Sequence, residues 1–281
     1  MLEINFTKLT GAGNDFILID KKLNPNLEIA PNLIENLCDR RFGIGADGML
    51  VIADDDDLDF EMEYYNSDGS TGMLCGNGAR CIIKYASFTG RIKGTKTKFR
   101  FQSTLYSGEV LDKNEIKFNL NPPTDIQNDI AVEVLGRSFR AAFINTGAHH
   151  VVIDLDKQSF DESEMCDIEK FPVSKYGREI RYSSQFAPLG TNVNFISKNG
   201  DEIKIRTYER GVEQETFACG TGSVASAIIA YINGYSILPI NLRTKSGALL
   251  KVDFKNLNDE VFENVTLSGP AKIVFEGRIK I

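Results

Sequence analysis

The sequence predicts an α+β protein made of two related halves, and three observations lead to that expectation. Short apolar runs, alternating or continuous, recur along most of the chain, at Phe16 to Ile19, Met49 to Ile52, Ile116 to Leu120, Val151 to Ile153, Val193 to Ile196, Ile203 to Tyr208 and Val261 to Leu267. Helical spacing is confined to three stretches. Many strands with few helices argue α+β. The third observation is a weak internal duplication: Cys75-Gly-Asn-Gly-Ala79 is echoed about half the chain later by Cys219-Gly-Thr-Gly-Ser223. A second echo has an offset about ten residues shorter, Gly11-Ala-Gly-Asn-Asp-Phe-Ile-Leu-Ile-Asp20 against Thr146-Gly-Ala-His-His-Val-Val-Ile-Asp154.

Taken in order, the first helix is expected over Pro31 to Arg40, with Pro near its start; the second runs from Gly78 to Phe88 and is closed by Gly90. The third runs from Gly222 to Asn233 and is closed by Gly234. Each cysteine motif opens a helix and follows a strand and turn, Tyr64 to Gly69 in one case and Tyr208 to Val212 in the other. Leu267 to Ile281 reads as a strand pair too small to stand alone, expected to return to the first half. Asn119-Leu-Asn-Pro-Pro-Thr124 has the composition of a crossover. The expected division is therefore 1–120 plus 268–281 for the half carrying Cys75, and 121–267 for the half carrying Cys219.

Composition narrows the function. The 281 residues are 42% hydrophobic and 25% charged, the balance of a globular protein. A net charge of −7, with no basic stripe interleaved with aromatics, argues against nucleic acid as a partner. The longest apolar stretch, Val224 to Ile232, is too short to cross a bilayer, and the start shows no charged leader followed by an apolar run. The expectation is a cytoplasmic protein without membrane contact. Five scattered cysteines in such a chain are expected to be reduced. Two adjacent histidines, His149 and His150, and no C-x-x-C pair give no zinc spacing, so no metal is expected.

Gly43-Ile-Gly-Ala-Asp-Gly48 matches a dinucleotide-binding fingerprint in letters only. That motif needs a strand before it and a helix after it, and here the order is reversed. A helix-to-strand turn is the better reading. Asp54 to Asp57 lacks the glycine of a calcium loop and reads as a solvated turn. Cys38 and Cys166 stand alone in sequence and Cys81 falls inside the helix, off the glycine-rich turn, so all three read as packing residues.

Cys75 and Cys219 differ, because each sits just before a helix among glycines that let backbone N–H groups converge on an anion. A thiol near pKa ~8.5 falls to ~3.5–7.5 in such surroundings. The dipole supplies only about 0.3–1 kcal/mol, less than one pKa unit, so neighbouring donors must add to it. Two activated thiols in duplicated settings suit inversion of a carbon stereocentre, which needs a base on one face and an acid on the other. Charge developing on an adjacent carboxylate would be held by the N–H groups of Gly76, Asn77, Gly220 and Thr221.

Gly13-Asn-Asp-Phe16, Asn66-Ser-Asp-Gly69, Cys75-Gly-Asn-Gly-Ala-Arg80, Tyr208-Glu-Arg-Gly211 and Ala218-Cys-Gly-Thr-Gly222 resemble, in order and across nearly the whole chain, the diaminopimelate epimerase family. The resemblance implies two pseudo-symmetric domains, each a curved mixed or antiparallel sheet wrapped around a central helix. It implies cofactor-independent interconversion of LL- and meso-2,6-diaminopimelate, a step toward lysine and peptidoglycan precursors, by a homodimer. Cys75 and Cys219 match the catalytic thiols, and His150 and Glu209 match residues that tune them. Asn14, Asn66, Asn192, Glu209 and Arg210 match substrate-binding positions, beside Gly76, Asn77, Gly220 and Thr221 at the reacting carboxylate. Two positions depart from the family pattern: Gly48 stands where Gln is common, and Ala148 lies where the family often has Asn-Pro before His. Another amino acid as substrate is the alternative within the same chemistry, and a thiol switch without turnover is the alternative outside it.

Overall fold

The computed structural model describes residues 3–160, 163–235, 238–258 and 260–281. The chain divides into two compact units, 1–119 with 268–281, and 120–267.

The first unit contains β1 (Glu3–Gly11), β2 (Asn14–Asp20), α1 (Pro31–Cys38), β3 (Gly48–Ala53), β4 (Phe60–Asn66), α2 (Gly76–Phe88), β5 (Lys96–Phe101), β6 (Thr104–Val110) and β7 (Glu115–Asn119). β1 and β2 form an antiparallel hairpin, β2 and β3 run parallel, β3 and β4 antiparallel, β4 and β5 parallel, and β5, β6 and β7 antiparallel. Each parallel step needs a crossover. The two helices supply them, α1 between β2 and β3 and α2 between β4 and β5.

The second unit begins with β8 (Thr124–Val134), β9 (Arg137–Asn145) and β10 (His149–Asp154), then α3 (Ser163–Cys166) and α4 (Val173–Arg181). It continues through β11 (Asn192–Asn199), β12 (Glu202–Glu209), β13 (Gln214–Thr216), α5 (Gly220–Ile232), β14 (Ile240–Arg243) and β15 (Leu249–Asn258). The wiring repeats that of the first unit: β9 and β10 antiparallel, β10 and β11 parallel, β11 and β12 antiparallel, β12 and β14 parallel, β14 and β15 antiparallel. β16 (Val261–Pro270) leads the chain out of the second unit, and β17 (Lys272–Lys280) pairs antiparallel with β1. The tail thus returns to the first unit, its Leu267 to Ile281 stretch holding the end of β16 and the whole of β17.

Both faces of the inner strands are covered, which is why they read as continuous apolar runs. In the first unit Ile17, Ile19, Met49 and Val51 pack with Ile34 and Leu37 of α1. The alternate residues face α2, which packs against β1, β2, β3, β4, β6, β7 and β17. In the second unit Val151, Ile153, Val193 and Phe195 pack with Tyr176 and Ile180 of α4, and α5 packs against β9, β10, β11, β12, β14 and β15. A helix contacted by so many strands is enclosed by its sheet. Accordingly all of Gly220 to Ala230 is buried, and in α2 every residue from Gly76 to Ala86 except Lys84. The fold is α+β, with two pseudo-symmetric units built this way.

Three elements correct the sequence reading. α2 and α5 begin at Gly76 and Gly220, two residues earlier than expected, because glycine-rich first turns hide their helical character. α4 has the spacing of an amphipathic helix, burying Val173, Tyr176, Gly177 and Ile180, but follows a polar segment and went unassigned. Cys166 is exposed and packs no core, unlike the buried Cys38 and Cys81.

Candidate active site

In the first unit Cys75 is the N-cap of α2, with extended backbone at φ −102° and ψ 110°. Its sulfur accepts the Gly78 N–H at 3.4 Å, and the side chain is half-buried. Asn77, next along the turn, is oriented by a donor-only partner: Nη2 of Arg80 donates to its Oδ1 at 2.6 Å. The Asn77 NH2 therefore donates to Asn14 Oδ1 at 2.6 Å, and Asn14 Nδ2 donates to Asp47 Oδ2 at 3.1 Å. Three polar side chains from α2 and β2 are set in one direction.

Arg80 is wholly buried, and its other hydrogen bond runs from Nη1 to the Gly76 carbonyl at 3.1 Å. Burial pushes its pKa down to about 10, while Cys81 and Cys75, when ionised, pull the other way. Cys81 does not ionise, because burial pushes its thiol far up. Burial likewise raises Cys38 to about 12. Both therefore stay protonated fillers of the core.

Asn66 ends β4, where its Nδ2 donates to Ser70 Oγ at 3.0 Å and closes its own turn. Gly48, in register with Asn66, has no room for a side chain: a Cβ there would lie 2.6 Å from the Tyr65 carbonyl oxygen and 2.8 Å from Tyr64 Cε2. The Tyr64 ring occupies the place that a longer residue would need.

The Gly43 to Gly48 segment is the helix-to-strand turn its sequence suggests: Ile44 and Gly45 N–H groups bond back to the Leu37 carbonyl, and β3 follows. Asp55 spends its carboxylate on Arg100 and on the backbone of Asp57 and Leu58.

In the second unit Cys219 caps α5 in the same conformation, φ −111° and ψ 117°, and its sulfur accepts the Gly222 N–H at 3.4 Å. Cys219 is buried. The Thr221 hydroxyl oxygen is 3.6 Å from this sulfur and 3.0 Å from His150 Nε2. His150 is fully buried on β10; burial, followed by the positive charges of His149 and Arg210, pushes its pKa down to about 3. The ring is neutral at pH 7. Its Nδ1 meets Asn194 Nδ2 at 3.1 Å, and Asn194 Oδ1 accepts the Thr207 hydroxyl at 2.9 Å.

Asn192 is nearly buried; it donates to the His149 carbonyl at 2.9 Å and accepts the Arg210 backbone N–H at 2.9 Å. Arg210 Nη1 donates to the Leu189 carbonyl at 2.9 Å. Glu209 ends β12 half-buried, and its Oε2 accepts the Thr216 hydroxyl at 2.9 Å. Ala148, just ahead of β10, is buried.

The structure therefore assembles Asn14, Cys75, Gly76 and Asn77 in the first unit, with Asn66 at the end of a strand in the same sheet. In the second it assembles His150, Cys219, Gly220 and Thr221, with Asn192 anchoring Arg210. Arg80, Asn194 and Thr207 were missed. For Asn194 a signal was present, since Asn192 and Asn194 alternate with Val193 and Phe195 and put two amides on one face of a strand buried on both sides.

Solved structures with this architecture include a hydroxyproline epimerase from Agrobacterium vitis, at TM-score 0.71 and 11% identity, over 99% of this chain and 92% of that one. A PhzF-family phenazine biosynthesis protein from Bacillus anthracis aligns at TM-score 0.70 and 12% identity over the whole of both chains. At such identity the likeness speaks for the fold alone. Fold and homologues together define an isomerase.

A profile of the diaminopimelate epimerase family matches residues 6–125 and 142–274. The diaminopimelate epimerase of Aquifex aeolicus is 40% identical over 98% of each chain, and that of Flavobacterium psychrophilum 38% identical over 97% of this chain and 98% of its own. The chain belongs to the diaminopimelate epimerase family.

Proposed function

We propose that the protein interconverts LL- and meso-2,6-diaminopimelate, without a cofactor, by means of Cys75 and Cys219. The observation that carries this reading is the repeated thiol cap: in each unit a cysteine ends a strand-and-turn, opens the enclosed helix and receives an N–H at 3.4 Å on its sulfur. A thiolate at one cysteine takes the α-proton and becomes a thiol, leaving the C–H electron pair on the α-carbon and its carboxylate. The thiol at the other cysteine delivers its proton to the opposite face and becomes the thiolate. The roles exchange in the reverse direction, so the two titrations are coupled.

Main-chain N–H groups of Gly76, Asn77, Gly220 and Thr221 stabilise the charge that develops on the α-carboxylate. His150 and Glu209 set the protonation of the thiols. Asn14, Asn66, Asn192, Glu209 and Arg210 recognise the rest of the substrate, the carboxylate of Glu209 suiting an ammonium group and Arg210 a carboxylate. The product serves lysine and peptidoglycan precursor synthesis in the cytoplasm, and the working form is a homodimer.

Among the described residues no helix is long and apolar enough to cross a membrane. The filling of the Gly48 position by Tyr64 favours keeping a second reading, the same chemistry on another amino acid. The test is proton–deuterium exchange at the α-carbon in heavy water with reduced protein and no added cofactor. Exchange with LL- or meso-diaminopimelate is expected, with turnover stopped in Cys75→Ala and in Cys219→Ala. Absence of exchange with both stereoisomers refutes the substrate, and a panel of L-amino acids resolved by chiral chromatography then decides the second reading. Turnover by reduced protein also sets aside a pure thiol switch.

A further inference from the structure

We propose that Asn194, held by Thr207, is a positioning residue that fixes buried His150 as its Nε2–H tautomer and so commits the Thr221 hydroxyl hydrogen to the Cys219 sulfur. This rests on the reading of Cys219 as a reacting thiol and identifies what tunes it.

Asn194 Nδ2 lies 3.1 Å from the Val151 carbonyl oxygen, which can only accept, so that end of the amide is the NH2. The other end, Oδ1, accepts from Thr207 at 2.9 Å. The same NH2 reaches His150 Nδ1 at 3.1 Å, and Nδ1 must therefore accept. A neutral imidazole that accepts at Nδ1 carries its hydrogen on Nε2. Nε2–H then donates to Thr221 Oγ1 at 3.0 Å. The hydroxyl's own hydrogen is left for Cys219 Sγ at 3.6 Å, where it joins the Gly222 N–H. Hydrogen bonds to an ionised acceptor are the stronger ones, so the thiolate gains more than the thiol.

The first unit has no counterpart to this chain. By strand register, β2 with β3 and β3 with β4, the positions of His150, Asn194 and Thr207 correspond to Phe16, Leu50 and Tyr64. Asn194 also reaches the helix start itself: a Cβ on Gly222 would lie 2.3 Å from its Oδ1, whereas a Cβ on Gly78 would lie 3.1 Å from a Leu50 methyl.

The sequence has two histidines, so protein labelled with 15N-histidine gives two imidazole patterns, assigned with His149→Gln. In the unmodified protein His150 is expected neutral between pH 5 and 8, protonated on Nε2 and bare on Nδ1; an Nδ1–H or charged ring overturns the proposal without any variant having to fold. In Asn194→Leu the single tautomer is expected to be lost. In a Cys75→Ala background, iodoacetamide alkylation of Cys219 near neutral pH is then expected to slow about tenfold, its pH midpoint rising about one unit. In Thr221→Val the same slowing is expected, and adding Asn194→Leu to it should change nothing further. Independent, additive slowing by the two substitutions, or an unchanged tautomer in Asn194→Leu, overturns the proposal. If tautomer and alkylation behave as stated while neither diaminopimelate stereoisomer exchanges its α-proton, the tuning of Cys219 stands and the assigned reaction falls.

Discussion

At the residue scale the buried His150 couples the site to acid stability. In the unfolded chain it protonates below about 6.5, but in the fold only near about 3, because burial penalises the charged ring. Between those values the unfolded state binds the extra proton, so stability rises with pH and is lost as the pH falls from about 6.5. Replacing His150 by Gln removes that dependence. Urea unfolding at pH 7 and pH 5 is expected to show the wild-type protein losing about 2 kcal/mol more than His150→Gln between the two conditions; equal losses would refute the assignment. Carboxylates act elsewhere: burial raises Asp15, but hydrogen bonds from Arg40 and Lys8 prevail and hold it at about 2, so its contribution fades only below about pH 4. Arg80 shows a different economy. A fully buried guanidinium without a carboxylate among its hydrogen-bond partners is costly in itself, yet it aligns the amides of Asn77 and Asn14.

At the element scale the two helix starts differ in how tightly the third residue is gripped. Alanine at Gly222 would drive its Cβ to 2.3 Å from the Asn194 amide, whereas at Gly78 the closest atom is a Leu50 methyl at 3.1 Å. Helix propensity favours alanine at both by up to ~1 kcal/mol. Gly222→Ala is therefore expected to destabilise the protein by about 1–3 kcal/mol through overpacking, and Gly78→Ala to change it by less than about 1 kcal/mol. Thermal denaturation of both variants decides this, and equal effects would refute the asymmetry.

These starts also mark how far the sequence could be read. Cysteine, glycines and the apolar run after them exposed both helices, although the glycines concealed the first two helical residues. The seven apolar runs all became strands: β2, β3, β10 and β11 are continuous because both faces are covered, whereas β7, β12 and β16 alternate between a buried and a more exposed face. The β8–β9 hairpin escaped notice because much of β8 is exposed and polar. Asn194 is hard to single out from sequence because its role depends on three partners that only the fold assembles.

At the scale of the whole molecule, duplicated letters reported duplicated wiring, but not the divergence within it. One copy lines the strand face behind its thiol motif with Phe16, Leu50 and Tyr64, the other with His150, Asn194 and Thr207. The family resemblance identified residues at both helix starts, whereas tuning groups beyond them required the register of the strands. The C-terminal strand is tied to the beginning of the chain by pairs from Glu3 with Lys280 to Thr10 with Lys272. Deleting residues 272–281 leaves β1 with one uncovered edge. The shortened protein is expected to lose amide protection in β1 and β2 while the core around Phe171, Tyr176 and Phe195 keeps it, as hydrogen exchange would register; uniform loss would refute that separation.

The same pairing sets an order of events during synthesis. A ribosome delivers β1 ahead of the segment from Leu120 to Leu267, and the strand that seals it only after that segment has emerged. The interior segment can thus fold on the nascent chain, whereas the first unit keeps an edge of β1 unpaired until β17 emerges.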